Sequence, residues 1–341
     1  MCTPRSTAGS PAAVLAGFIV LSMTATPQPF QAQDASPAAN SGATSIGTEV
    51  ERRAAELRSS LKLAVAENDL RAQAVALDAI GALYYSHGNP AEAIKHFEQV
   101  LGIVRKLGET TAEATALSDV GAANFAMGHT EEALDAYKQA LPLWRKLGNR
   151  DHEAAILGDI GEVFRALDDP EEALYFENQA LPLYQQAGNR AGEAAVLNNV
   201  GLVFYARHDK KRALESFQHA LAIYLEAANV PGQSTTLNNI GGTYNAFGDP
   251  RKAIPEFEQA LALLRPLGDK KSEATALNNM GTAYFHLGDA RQALESYEQA
   301  LHAFDAVGDE QGAETVKKNL AQLYADRRSR TALESAPHDS N

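Results

Sequence analysis

The chain has 341 residues and a formal net charge of −13 at pH 7. This acidic balance argues against nucleic acid as a partner, because an acidic chain repels phosphate unless it carries a strong basic stripe. Cys2 is the single cysteine, which excludes an internal disulfide and a thiolate metal site.

The N-terminus carries an apolar run at residues 12–23 that fits the hydrophobic region of a secretory signal and is short for a membrane span. Residues 1–25 are therefore predicted to be a signal peptide, although Met23 is larger than the cleavage site prefers. We expect a periplasmic or secreted protein without membrane insertion after cleavage. An uncleaved anchor or a misassigned start codon are the alternatives. Residues 26–47 have no apolar period and predict a disordered linker.

Three columns of residues recur every 40 positions in the rest of the chain. Within one unit, Leu277, Met280 and Tyr284 are spaced as one face of a helix, and Ala293, Leu294 and Tyr297 begin a second such face. Each unit therefore predicts a helix A followed by a helix B. The columns are Gly81, Gly121, Gly161, Gly201, Gly241 and Gly281; Leu77, Leu117, Leu157, Leu197, Leu237 and Leu277; and Leu61, Leu101, Leu141, Leu181, Leu221, Leu261 and Leu301.

The sequence Leu-Asn-Asn-Met-Gly-x-x-Tyr-x-x-x-Gly-Asp-x-x-x-Ala-x-x-x-Tyr-x-x-Ala-Leu, from Leu277 to Leu301, resembles a tetratricopeptide repeat. The units resemble the longer variant of kinesin light chains and of bacterial regulatory proteins. This resemblance implies an all-α fold, a right-handed superhelical α-solenoid of antiparallel helix pairs over residues 48–326. The predicted parts are a capping helix at 48–66, repeats at about 69–107, 109–147, 149–187, 189–227, 229–267 and 269–307, a capping helix at 310–326, and a disordered tail at 327–341.

Two features depart from the family pattern. Helix B carries internal prolines, at which we expect kinks because proline removes a helical hydrogen bond; these are Pro142, Pro182, Pro255 and Pro266. In the third repeat, Glu177 stands where the other units place Phe or Tyr, and Phe176 is predicted to substitute for the missing ring.

Asparagine and aspartate mark the face of helix A opposite the buried one. An asparagine side chain can pair with the N–H and C=O of a peptide unit, so a row of them could hold an extended segment in a concave groove, as inner-helix asparagines do in related repeat proteins. Hydrogen bonding between repeats, which would fix the superhelical pitch, is the alternative. The row comprises Asp119, Asp159, Asn199, Asn239, Asn279 and Asn319, with Asn198, Asn238 and Asn278 beside it.

Aromatic residues flank the same face and could form pockets for a ligand at the groove edge. Packing against neighbouring repeats is the alternative role of these side chains. They are Tyr85, Phe125, Tyr205 and Phe285. Asp119, Asp159 and Glu162 add an acidic cluster, for which a cation or basic peptide is a simpler use than acid–base catalysis.

No catalytic or metal-binding motif emerges, so we expect no enzyme activity, no metal and no cofactor. The leading hypothesis is an exported interaction scaffold that binds an extended segment of a partner protein. A regulatory array that acts with a separately encoded peptidase, kinase or cyclase is the alternative, and a homo-oligomer is a further possibility.

Overall fold

A computed structural model describes the backbone of residues 43–334 and the side chains of residues 50–326. The predicted signal peptide and most of the predicted linker lie outside these residues. The described part contains fourteen α-helices and no strand. The helices are α1 (Ala43–Ala66), α2 (Leu70–Ser86), α3 (Pro90–Leu107), α4 (Thr110–Ala126), α5 (Thr130–Leu147), α6 (Arg150–Ala166), α7 (Pro170–Ala187), α8 (Arg190–Ala206), α9 (Lys210–Glu226), α10 (Val230–Ala246), α11 (Pro250–Leu267), α12 (Lys270–His286), α13 (Ala290–Val307) and α14 (Glu310–Glu334).

The helices form successive pairs, from α2 with α3 to α12 with α13, and each pair packs on the next. The first helices of neighbouring pairs also contact one another directly, as α6 does with α8 and α8 with α10, whereas the second helices make no comparable contact. The array therefore curves with the first helices inside and the second helices outside. The predicted α-solenoid is confirmed.

Both ends differ from the predicted boundaries. Helix α1 begins at Ala43, within the predicted linker, and α14 continues to Glu334, within the predicted tail. Residues 327–334 contain neither glycine nor proline, and Pro337 is the first proline after them, so nothing in this segment interrupts the helical hydrogen bonds. None of the helices within residues 43–334 combines the length and apolarity that a membrane crossing requires.

The glycine column allows the two helices of a pair to approach closely. A Cβ at Gly241 would lie 2.7 Å from the ring of Phe257, and one at Gly201 would lie 2.6 Å from the ring of Phe217. Both rings are fully buried. At five of the six helix pairs the glycine of the column contacts an aromatic ring in this way, and at Gly161 the side chain of Glu177 takes the place of the ring.

A second contact joins the end of one repeat to the start of the next. Trp144 near the end of α5 stacks on His152 of α6 with ring centroids 4.1 Å apart. At the next junction Tyr184 covers Gly192, where a Cβ would lie 2.4 Å from the ring. Large residues at this position of helix B thus face small or flat ones in the following helix A.

The internal prolines do not end their helices. The helices α5, α7 and α11 continue as α-helix through Pro142, Pro182, Pro255 and Pro266. The expected kinks stay a prediction.

The turn from helix B to helix A uses a left-handed residue at each repeat junction. Glycine supplies it at five junctions, with φ between 67° and 72°, but Ala228 occupies the position between α9 and α10 with φ 50°. A Cβ disfavours this conformation by about 1–2 kcal/mol.

We expect Ala228→Gly to raise the free energy of unfolding by about 0.5–1 kcal/mol, because the strain exceeds the entropy that glycine adds to the unfolded chain. Ala227→Gly is the matched control, since Ala227 has φ −81°; it should lower stability by about 0.5–1 kcal/mol. Urea unfolding of both variants measures the difference. Equal losses in both would contradict the strain at Ala228.

Candidate functional site

The asparagine rows meet at the contacts between neighbouring inner helices. The Nδ2 atom of Asn239 donates to Oδ1 of Asn198 at 3.1 Å, and Thr236 Oγ1 donates to the same oxygen at 3.4 Å. The pattern continues from Asn279 to Asn238 at 3.1 Å and from Asn319 to Asn278 at 2.8 Å. We call these three Asn–Asn bonds the amide ladder. The structure therefore shows the alternative use of these asparagines, hydrogen bonding between repeats.

The ladder stops between the third and fourth repeats. The register position of Asn198 is held there by Gly158, which has no side chain to accept from Asn199. Asn199 instead hydrogen-bonds to the carboxyl group of Glu177. The predicted site residues thus divide into an amide half, from Asn198 to Asn319, and an acidic half that contains Asp119 and Asp159.

The amide ladder makes a stability prediction. Asn198→Ala removes the acceptor of two bonds and leaves the side chains of Asn239 and Thr236 unsatisfied in a buried position. We expect a loss of about 1–2 kcal/mol in the free energy of unfolding. In a double-mutant cycle with Asn239→Ala, the two losses should sum to more than the loss in the double variant, because each single change already breaks the shared bond. Additive losses would show that the bond contributes nothing to stability.

Asp119 on α4 and Asp159 on α6 lie half-buried on the inner face, and neither carries a hydrogen bond or an ion pair to the described residues. Burial, with the nearby charge of Asp78, raises the pKa of Asp119 to about 8. Burial, with the charge of Glu162, raises the pKa of Asp159 to about 7. The acidic half therefore holds carboxyl groups that still bind protons near neutral pH.

Glu177 corrects the prediction for the third repeat. Its side chain is 1% exposed and occupies the aromatic position itself, with Cγ and Oε1 3.2 Å from where a Cβ of Gly161 would lie. Phe176 does not substitute for the ring; it stacks on Phe164 of α6, with ring centroids 5.4 Å apart. Burial raises the pKa of Glu177 well above its ordinary value, and the bond from Asn199 offsets only part of this.

Glu162 on α6 belongs to the same cluster. It forms an ion pair with Arg165 at 3.3 Å, yet burial still raises its pKa. The charges of Asp119, Asp159 and Glu162 also raise the pKa of Tyr85, in addition to its burial. Tyr85 therefore belongs to the acidic half of the groove.

The other predicted edge aromatics lie against the protein. Phe125 and Phe285 pack on hydrophobic clusters of the core. Tyr205 is 38% exposed and meets Phe247 edge-on, with ring centroids 6.2 Å apart. Most of these aromatic side chains therefore pack between repeats, which was the alternative to pockets at the groove edge.

Within residues 50–326, no group of three or more His, Cys, Asp or Glu side chains is placed to hold a metal ion. The side chains of Asp159, Glu162 and Glu177 lie close enough for their charges to interact. Their arrangement suits the binding of positive charge.

Sequence reasoning placed Asp119, Asp159 and Glu162 together but missed Glu177 as their neighbour. The signal was present in two coincident departures from the repeat, Gly158 in the asparagine column and Glu177 in the aromatic column. The two departures lie side by side in the structure, since a Cβ at Gly158 would lie 3.8 Å from Glu177 Oε2.

Sequence profiles described as tetratricopeptide repeat match residues 73–109, 112–186, 192–266 and 232–306, which is more than half of the chain. A comparison with curated proteins finds no match.

Solved structures with the same fold include the protein BtubC (BKLC) from P. vanneervenii, with 24% identity, a TM-score of 0.54, and coverage of 64% of this chain and 92% of that one. Aspartyl phosphate phosphatase F from Bacillus subtilis is 14% identical, with a TM-score of 0.59 over 77% of this chain and 74% of that one. A Rap protein complexed with Competence and Sporulation Factor is 16% identical, with a TM-score of 0.57 over 76% of this chain and 78% of that one. These similarities describe the fold.

Proposed function

Because the chain belongs to the tetratricopeptide repeat family, whose repeats form scaffolds for protein–protein interaction, we propose that it is an exported scaffold that binds an extended segment of a partner protein in the groove lined by its inner helices. The proposal rests on the composition of the inner surface of the array. This surface combines unpaired carboxyl groups at Asp119 and Asp159 with small side chains, such as Ala155 and Ala195, that leave room for a polypeptide.

The amide ladder changes how the segment is held. Asn239, Asn279 and Asn319 each donate one N–H to the neighbouring repeat, so only part of their hydrogen-bonding capacity is left for peptide groups along the groove. Their first role in this proposal is to fix the spacing of the inner helices, and the ligand contacts move to the acidic half. Alanine substitution in the ladder would weaken repeat packing as well as binding, and is unsuitable as a binding test.

Export rests on the apolar run at residues 12–23. The alternative, a regulatory array with a separately encoded effector, has support only from fold similarity to a Rap protein whose structure contains Competence and Sporulation Factor. That identity is too low to transfer a ligand.

Two glycines with free space around them allow a matched test of groove binding. Gly242 lies on the inner helix α10, one turn beyond Asn238, and Gly102 lies on the outer helix α3; a Cβ at either meets nothing within 4 Å. Gly242→Trp should fill the groove without disturbing the core, and Gly102→Trp should place the same bulk outside it. We would compare affinity capture by the wild-type protein and both variants, from extracellular and periplasmic fractions, after circular dichroism shows equal helix content.

A partner retained by wild type and Gly102→Trp but lost by Gly242→Trp would support groove binding. Equal capture by all three would move the binding surface to the outer helices. If captured proteins occur only in cytoplasmic extracts, the export part of the proposal fails.

A further inference from the structure

Two buried oxygen atoms between α6, α7 and α8 lack hydrogen-bond donors. The Oε2 atom of Glu177 has no partner, and neither has Oδ1 of Asn199. Both residues are at least nine-tenths buried, with exposed fractions of 1% and 8%. Buried acceptors are normally satisfied, so the ionised form of Glu177 requires a donor that the described residues do not supply.

The space beside Glu177 Oε2 is left by Gly158. In the following repeats this position carries asparagine, whose Oδ1 atom accepts in the ladder, so the space at Gly158 marks room for a group and not a lost donor. An atom at the place of a residue-158 Cβ would be 3.8 Å from Glu177 Oε2. Gly158 itself is half-buried on the inner helix α6, so a group from the groove that rests on it comes close to that oxygen.

The same side of the groove has excess negative charge. Asp159 is adjacent to Gly158 in sequence, and Asp119 lies on the preceding inner helix; neither is paired. Arg165 already pairs with Glu162. A ligand that supplies both N–H donors and positive charge would satisfy the oxygens and compensate the carboxylates.

We propose that Asp159 and Glu177, together with Gly158 and Asn199, form a receptor for one basic side chain, lysine or arginine, of the segment that the groove binds, and that Asp119 on the neighbouring inner helix adds negative charge. This inference rests on the proposed function, since it names the chemistry of the partner at that site. A metal ion is a poorer occupant because the described side chains offer no group of three ligands placed to hold one. An ammonium or guanidinium group instead brings several donors and a positive charge to a site with two carboxyl groups and one amide oxygen.

Binding at this receptor competes with protons. A cation favours the ionised form of Asp119 and Asp159, whose pKa values are about 8 and about 7 without it. Affinity should therefore rise about tenfold or more from pH 5 to pH 8.5. The titratable groups whose charges interact with Asp159 are Tyr85 of α2, Tyr137 of α5, Glu162 of α6, and Glu177 and Tyr184 of α7. Those that interact with Asp119 are Asp78 and Tyr85 of α2 and Tyr137 of α5.

The test is an NMR titration of the full chain with N-acetyl-arginine methylamide, compared with the citrulline analogue, which has nearly the same shape and no charge. Saturable shifts should appear on the inner faces of α4 and α6 with the arginine probe alone, and they should weaken at about pH 5. Asp159→Asn should lose them. Gly158→Asn should lose them too, because it places the side chain of the other repeats over Glu177.

Asp135→Asn is the matched control, since Asp135 is exposed on the outer helix α5, and it should bind as the wild type does. Equal shifts with citrulline, shifts scattered over the acidic surface, or no saturable shift would each overturn the receptor. The receptor would also be overturned if both single variants, Gly158→Asn and Asp159→Asn, still bound the arginine probe.

The two proposals fail separately. A partner that is captured through the groove but is indifferent to Asp159→Asn leaves the proposed function intact and removes this receptor. Conversely, the arginine probe could bind as expected while Gly242→Trp leaves partner capture unaffected. That result would exclude the groove as the partner site and leave the receptor proposal intact.

Discussion

Gly241→Ala is expected to lower the free energy of unfolding by about 2–3 kcal/mol, the upper part of the range for overpacking a core. The added Cβ would lie 2.7 Å from Cε1 and 2.9 Å from Cδ1 of Phe257, well inside van der Waals contact. The ring is fully buried between α10 and α11, so it has no open rotamer to adopt. The two helices must separate, and the contacts around them are lost.

The next residue provides the control. Gly242 is on the same helix, but a Cβ there meets nothing within 4 Å, so Gly242→Ala should raise stability by up to about 1 kcal/mol through helix propensity alone. Chemical unfolding of both variants measures two effects of opposite sign from the same substitution. A loss of similar size in both would mean that glycine is required for the backbone and not for the ring contact.

The contact also explains how much of the fold was predictable. A column such as Gly201 and Gly241 records a physical requirement that recurs at each helix pair, so its period of 40 residues revealed the number and order of the helices. The ends of the array were less predictable. Helix α1 begins at Ala43 and α14 continues to Glu334, outside the 40-residue pattern from which the boundaries were predicted.

The candidate site was predictable in its location and only partly in its use. Asn198 and Asn239 were recognised as one surface of helix A, yet a single sequence does not say whether an amide meets a ligand or the next repeat. Their separation is 41 residues, one repeat of 40 residues plus one. A hydrogen bond with this separation joins neighbouring repeats and can recur along the whole array, which favours bonding between repeats. Glu177 could not be placed without knowing that Gly158 leaves space beside it.

The stability of the wild-type protein should fall as pH rises from about 5 to about 8. Burial raises the pKa of Asp119 to about 8 and that of Asp159 to about 7, whereas an unfolded chain releases these protons near pH 4. The folded state therefore holds protons that the unfolded state has lost. A group with a raised folded pKa gives its full stabilisation below the unfolded pKa and loses it as pH rises through the folded pKa.

Asp119→Asn combined with Asp159→Asn should remove most of this slope, because an amide resembles the protonated carboxyl group at every pH. The double variant should be more stable than wild type at about pH 8, by about 1–3 kcal/mol after allowance for the partial solvent exposure of both groups. Its stability should approach that of wild type below about pH 3, where the carboxyl groups are protonated in both states. Urea unfolding at several pH values measures the slope.

The control must separate this effect from the general repulsion in a chain of net charge −13. Combining Asp135→Asn with Glu98→Gln removes two charges from exposed positions on the outer helices and should leave the wild-type slope in place. If this control flattens the slope as fully as the groove variant, net charge and not burial controls the pH dependence. A wild-type stability that rises between pH 5 and 8 would mean that Asp119 and Asp159 are paired with cations in solution.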